Sequence, residues 1–334
     1  MNFGASILDA EGLRLTREET ALFRETDPFG FILFARNIEN ADQVRALCGD
    51  FRDSVGRDAP ILLDQEGGRV QRIWAPMARN WTPPLDFVAA AGEHAERAMY
   101  LRYRLIALEL HGLGIDTNCA PCGDLARTDT HSFLKNRCYA SEPDKVSSFA
   151  MAVARGLLDG GVLPVIKHMP GHGRAQLDTH FDLPQVDLTL AELEASDFAA
   201  FRPLADLPMG MTGHVVFSAL TDKAATVSSE AIAAIRNQIG FGGLLMTDDI
   251  SMQALKGEPQ DRARAALDAG CDVALFCNAP LDQRRTVAET AGRMTDAAHT
   301  RAQAALAARH APLDFDVQSA EAELDRLLGG RAYV

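Results

Sequence analysis

Short apolar runs alternate with longer amphipathic stretches along almost the whole chain. The apolar runs fall at 4–8, 30–34, 60–63, 114–118, 161–166, 209–212, 243–246 and 272–276. They are too short for helices and often led by glycine, which predicts buried strands. Between them, apolar residues recur at helical spacing over 41–52, 87–110, 144–158, 190–201, 229–239 and 259–269. A further helical stretch, 281–307, follows the eighth strand, and the tail over about 314–328 reads as a final packing helix. Eight such units without a Gly/Ser/Pro-rich linker predict an α/β fold: one closed (β/α)8 TIM-type barrel, residues 1–334 forming a single catalytic domain. A doubly wound open sheet is the alternative, but no Gly-x-Gly-x-x-Gly fingerprint follows the early strands.

In such a barrel the C-terminal ends of the strands carry the chemistry. Here those ends are polar while the strand bodies are apolar. The third is followed by Asp64-Gln65-Glu66-Gly67-Gly68-Arg69-Val70-Gln71-Arg72, the fourth by Asn118 to Asp124 and a long loop to Arg137. The sixth ends in Thr212-Gly213-His214 and the seventh in Thr247-Asp248-Asp249. The densest is the fifth, where Lys167-His168-Met169-Pro170-Gly171-His172-Gly173 runs on to Asp178-Thr179-His180. A solvated polar loop is the bland alternative. Ionisable groups crowded at a strand end favour a site.

Asp64 follows a buried run, so it must be paired or face a cleft. The Gly67-Gly68 return can bring Arg69 or Arg72 back over it. Lys167 and His168 are strand neighbours and need a bend, which Pro170-Gly171 supplies, to reach one pocket together. His172 reads as a loop-bracing or exposed histidine. Alternation lets only one of Asp248 and Asp249 face the barrel axis, with the other free to cap a helix. The spacing leaves open which does which.

Nearly half the residues are hydrophobic, enough for a large core, and the net charge is −13. An acidic surface argues against nucleic acid or anionic membrane as partners. The N-terminus has no basic region or long apolar stretch, so a cytoplasmic, soluble protein is expected. The six cysteines read as buried free thiols, since Cys119-Ala120-Pro121-Cys122 lacks the second pair a zinc site would need.

The runs at 64–72, 167–173, 178–180 and 240–252 together resemble glycoside hydrolase family 3, and within it the single-domain bacterial β-N-acetylhexosaminidases. The resemblance spans nearly the whole barrel. It implies a retaining exo-β-N-acetylglucosaminidase acting on peptidoglycan-derived anhydromuropeptides in cell-wall recycling. It also implies Asp248 as nucleophile, His180 as acid/base with Asp178 its partner, and Asp64, Arg72, Arg137, Lys167 and His168 as ligands of the terminal N-acetylglucosamine. The implied partner is a small carbohydrate, with no cofactor and no metal. Departures are Met169 for the usual Phe, Thr179 for Ser, and Cys138-Tyr139 for Ser-Phe; none removes a reacting group. Three rivals remain: transfer of the glycosyl group to phosphate rather than water, a metal-dependent hydrolase using His168, His172, His180, His214 and Asp248, and a non-catalytic sugar-binding protein.

Overall fold

The computed structural model describes residues 1–175, 183–330 and 332–333. Its main sheet has eight parallel strands: β1 (Gly4–Leu8), β2 (Pro28–Leu33), β3 (Ile61–Leu63), β4 (Thr117–Asn118), β5 (Leu163–Met169), β6 (Met209–Thr212), β7 (Leu244–Met246) and β8 (Ala274–Leu275). Each strand pairs with the next in the chain from β1 to β7, and β8 returns to the far side of β1. The seam between β7 and β8 is closed by the parallel bridge Met246–Val273. The hydrogen bonds Asp272 N–H to Leu245 O (2.8 Å) and Thr247 N–H to Val273 O (3.1 Å) flank it. The expected (β/α)8 barrel is therefore the observed fold.

Strand alternation divides the core in two. Ala5, Ile7, Ile32, Leu62, Leu163, Val165, Met209, Met211, Leu244, Met246 and Leu275 fill the barrel interior. Phe31, Leu33, Ile61, Leu63, Ile166 and Leu245 point outward into a second apolar layer under the helices. Residues two apart thus share a face, as the pleat requires. Each fully buried Leu, Ile or Phe contributes about 1.5–3 kcal/mol.

Three helical stretches are subdivided. The 281–307 stretch is two helices, Leu281–Ala291 and Asp296–Ala307. Gly292, at φ 63°, ends the first, and the Thr295 hydroxyl caps the second. The 87–110 stretch divides at Gly92 into Pro84–Ala91 and Ala95–Gly112, and 190–201 into Leu190–Ala195 and Asp197–Phe201. The helix Arg17–Thr26 was not expected, because its sequence is strongly polar and buries little beyond Leu22 and Phe23. Its signal is local. Thr16 accepts from the Glu19 N–H (3.1 Å) and Glu19 from the Thr16 N–H (3.0 Å), a capping box. All six cysteines are buried and free. Among the described residues no helix is long and apolar enough to cross a membrane.

The loop after β5 is pressed against the loop after β4. A methyl group on Gly173 would collide with the backbone oxygen and nitrogen of Leu125. Backbone cannot yield as a flexible side chain does. Gly173→Ala should therefore lower the unfolding free energy by about 1–3 kcal/mol in urea titrations. An unchanged midpoint would show that the two loops separate freely.

Candidate active site

The interior parity of the strands continues past their ends and builds the site. Leu62 points inward, so Asp64 does too. Leu163 and Val165 place Lys167, Ile32 places Phe34, and Leu275 places Cys277. All four of those side chains line one pocket of about 420 Å³ at the C-terminal mouth of the barrel. Leu244 and Met246 point inward, which carries Asp248 to the axis and settles the choice left open above. Asp248 Oδ1 accepts from the Asp249 N–H (2.8 Å). Its other oxygen has no hydrogen bond among the described residues. Asp249 reaches the rim, but its carboxylate is occupied by the Ser251 N–H (2.9 Å) and hydroxyl (2.7 Å). It shapes the turn.

His168 breaks the parity. The β5–β6 register shifts between Ile166 and Met169, and Lys167 and His168 consequently line the same pocket. The bend thus lies within the strand, ahead of the Pro170-Gly171 turn proposed for it.

The 65–71 segment is a small antiparallel hairpin, Gln65–Gly67 against Val70–Gln71. Its turn needs positive φ at Gly67 (99°) and Gly68 (61°). The return brings Arg72 Nη2 to 3.1 Å from Asp64, and Arg69 to the pocket wall. Beneath it the buried Arg102 guanidinium donates to the carbonyls of Glu66 (2.6 Å) and Thr82 (2.9 Å).

Glu66 was not singled out from the sequence, yet it joins the site together. Its carboxylate takes two parallel bonds from Arg137 (2.8 and 2.9 Å) and lies 2.7 Å from Lys167 Nζ. Lys167 also donates to Asp64 (2.9 Å). Burial pushes the Asp64 and Glu66 carboxyls upward, but the adjacent Lys167, Arg72 and Arg137 outweigh it and hold both well below the usual range. Burial disfavours the charged forms of Lys167 and Arg137, and the same carboxylates reverse that. The cluster stays ionised.

Asp124 is the second residue missed; its signal was only its place after β4. Its Oδ2 lies 2.6 Å from His168 Nδ1 and its Oδ1 accepts from the His172 N–H (2.6 Å). Burial raises its pKa and the His168 ring more than offsets this, so it is a carboxylate that only accepts. His168 therefore carries its proton on Nδ1. Nε2, 3.5 Å from an Arg137 nitrogen, offers a lone pair at the pocket. For Asp248, burial raises the pKa while His214, His168, the Asp249 N–H and Lys167 lower it, and the net direction is downward. Asp249 moves upward, mainly through burial.

The structure thus brings Asp64, Arg72, Arg137, Lys167, His168 and Asp248 into one cavity. Asp178 and His180 lie outside the described residues. Of the histidines of the metal reading, His168 and His172 line the pocket with Asp248, and His180 lies outside the described residues. His214 is spent on the Thr226 hydroxyl (2.8 Å) and the Asp249 carbonyl (3.0 Å), and the one described group spaced for an ion is Cys122, Asp124 and His168.

Comparison with known proteins settles the family. Residues 7–307 match the glycosyl hydrolase family 3 N-terminal domain. The chain belongs to glycosyl hydrolase family 3. It is a glycoside hydrolase. A beta-hexosaminidase from Chromobacterium violaceum is 37% identical over 287 residues, covering 83% of this chain and 79% of the relative. One from Pseudomonas aeruginosa is 34% identical over 279 residues, covering 82% of each. The crystal structure of NagZ from Neisseria gonorrhoeae in complex with N-trifluoroacetyl-D-glucosamine superposes with a TM-score of 0.82 at 30% identity, covering 98% of this chain and 99% of that one. The family assignment accounts for the pocket's position at the strand ends.

His172 corrects an expectation. It is not exposed, and among the described residues it is not braced through its ring: it is buried, and neither ring nitrogen has a hydrogen-bond partner there. Burial, aided by His168, lowers its pKa to about 3. An unfolded histidine titrates near ~6.5. Between these values the unfolded chain binds a proton that the folded chain refuses, so this group makes stability fall as pH drops from about 6.5 towards 3. Comparing wild type with His172→Gln in urea, the stability difference should shift towards the variant on acidification from pH 6.5 to 4.5, by at most about 1.4 kcal/mol per unit. A pH-independent difference would place the ring in contact with water.

Proposed function

We propose that this chain is a retaining exo-β-N-acetylglucosaminidase, acting through a covalent glycosyl-enzyme on Asp248. The observation that carries the reading is Asp248 itself. It is an ionised carboxylate, one oxygen of which takes no hydrogen bond among the described residues, at the axis of a pocket floored by Ile32, Met211 and Leu275. A pocket floored by the barrel core suits a chain end. Asp64 and His168 offer acceptors and Arg72, Arg137 and Lys167 donors, the mixture a polyhydroxylated ring needs. Two carboxylates (Asp64 and Glu66) are already neutralised by cations, so an uncharged sugar can replace water there without unbalancing the charge. The beta-hexosaminidase relatives support a hexosamine in this pocket.

In this reading Asp248 attacks the anomeric carbon and the aglycone oxygen leaves with a proton from His180. His180 then takes a proton from water, which releases the sugar with its β-configuration kept. Asp178 orients the His180 ring and stabilises the imidazolium. These two residues directly follow the loop that carries His168 and His172. We assign the aglycone to peptidoglycan-derived anhydromuropeptides, an assignment that rests on the resemblance in the sequence motifs.

An aryl N-acetyl-β-glucosaminide should be cleaved much faster than the aryl β-glucoside, and proton NMR should show β-sugar first. An α-sugar first would rule out the covalent route. Asp248→Ala should lower turnover by several orders of magnitude. A 2-fluoro sugar should label Asp248, and labelling of Asp249 would reassign the nucleophile.

Leaving-group dependence tests the acid. A nitrophenolate departs almost unaided, whereas a sugar alkoxide must be protonated. His180→Ala should therefore lose far more activity on a disaccharide than on the aryl glycoside, with Asp178→Ala showing the same pattern more mildly. Equal losses on both substrates would make His180 a binding residue.

A further inference from the structure

His172 has no part in the chemistry described so far, yet its placement is costly. The side chain is 1% exposed, and neither ring nitrogen meets a donor or acceptor among the described residues. Buried polar atoms are almost always paired, so an unpaired imidazole asks for a reason. Its orientation is held from three sides. The backbone N–H is fixed to Asp124 (2.6 Å). The ring packs edge-on between Phe133, with centroids 5.6 Å apart, and His168, at 5.3 Å. The residue also lines the pocket that holds Asp248. It is therefore a rigidly mounted polar group, unsatisfied among the described residues, in the wall of the pocket that holds Asp248.

The neighbours limit what that ligand group can be. Burial, His168 and Arg137 together outweigh Asp124 and Asp248 and disfavour a second proton on the ring. A neutral imidazole presents one N–H and one lone pair. A carboxylate or phosphate only accepts and would face that lone pair with its own. A hydroxyl or a secondary amide both donates and accepts and can use either nitrogen.

We infer that His172 contacts the sugar directly, exchanging hydrogen bonds with an uncharged donor–acceptor group of the terminal residue, either a ring hydroxyl or the 2-acetamido group. This inference rests on the glycosidase reading above. It makes His172 a substrate-binding residue beside His168, one that carries no proton between substrate and water.

The test uses the full chain and pairs each substitution with a change in substrate. His172→Phe keeps the ring packing and removes both nitrogens; His172→Gln restores a donor and an acceptor. Each is assayed on the aryl N-acetyl-β-glucosaminide, its 3-, 4- and 6-deoxy forms, and the aryl β-glucoside that lacks the acetamido group. Thermal unfolding checks that the variants fold. His172→Phe should lower kcat/KM by about 10- to 100-fold, with His172→Gln recovering part of the loss. One substrate change that is costly for wild type should cost nothing further in His172→Phe, and this names the partner group as hydroxyl or acetamido. If His172→Phe does not fold, His172→Gln is read in the same cycle, with one substrate penalty reduced. Should every substrate change be as costly in the variants as in wild type, His172 does not touch the sugar and the inference fails. Failure of wild type to cleave any of these substrates would overturn the glycosidase reading and this inference with it.

Discussion

The site depends on a buried exchange of charge between Asp64 and Glu66 on one side and Lys167, Arg137 and Arg72 on the other. No member could be buried alone, since an isolated ion in a protein interior costs several kcal/mol even after relaxation. Together they satisfy one another, and the geometry that results is stiff. Glu66 is central because it holds two cations from different elements, Lys167 near the end of β5 and Arg137 from the loop after β4. Its own backbone is gripped by Arg102 from the helix below. The hydrogen-bonding wall of the pocket is thereby assembled before any ligand arrives, which is what binding a flexible, well-hydrated sugar demands.

A second pairing, Asp124 with His168 and the His172 backbone, does for the imidazoles what Glu66 does for the cations. It fixes the His168 tautomer and turns the two rings edge to face. The two devices meet at Arg137, which touches Glu66 and lies beside His168. The acidic surface of the chain and its cation-rich pocket are thus compatible: the positive groups are counted against carboxylates beside them, and the surplus faces Asp248.

Much of this was legible in the sequence because the strand period carries over into the site. The apolar runs located all eight strands, and the polar residues at their ends marked the pocket. Extending the inward parity of Leu244 and Met246 by two residues would have chosen Asp248 over Asp249 from sequence alone. The local break at His168 was not legible, because a register shift is decided by pairing with β6 rather than by residue type. Glu66 and Asp124 were passed over for a related reason. Their importance lies in partners distant in the chain, Arg137 and Lys167 for one and His168 for the other. Arg17–Thr26 was missed because hydrophobic periodicity is a poor guide to a helix with so little apolar face, although Thr16 and Glu19 announced its start. His172 was misjudged because a histidine between glycines reads as exposed until the neighbouring loops are seen to close over it.

The carry-over of strand parity into the pocket has a bearing on how such a protein can diverge. The loops after β3, β4 and β5 can change length with little consequence for where the strand-end side chains point. The strands themselves cannot. Losing or gaining a single residue within Leu244–Met246 would present Asp249 to the axis and turn Asp248 into the wall, and the same slip in β5 would exchange Lys167 for a neighbour. The barrel therefore reads its strands in a frame of two. Loop changes that spare Glu66, Asp124 and Arg137 leave the pocket's charge pairs in place, whereas a one-residue insertion or deletion within a strand does not.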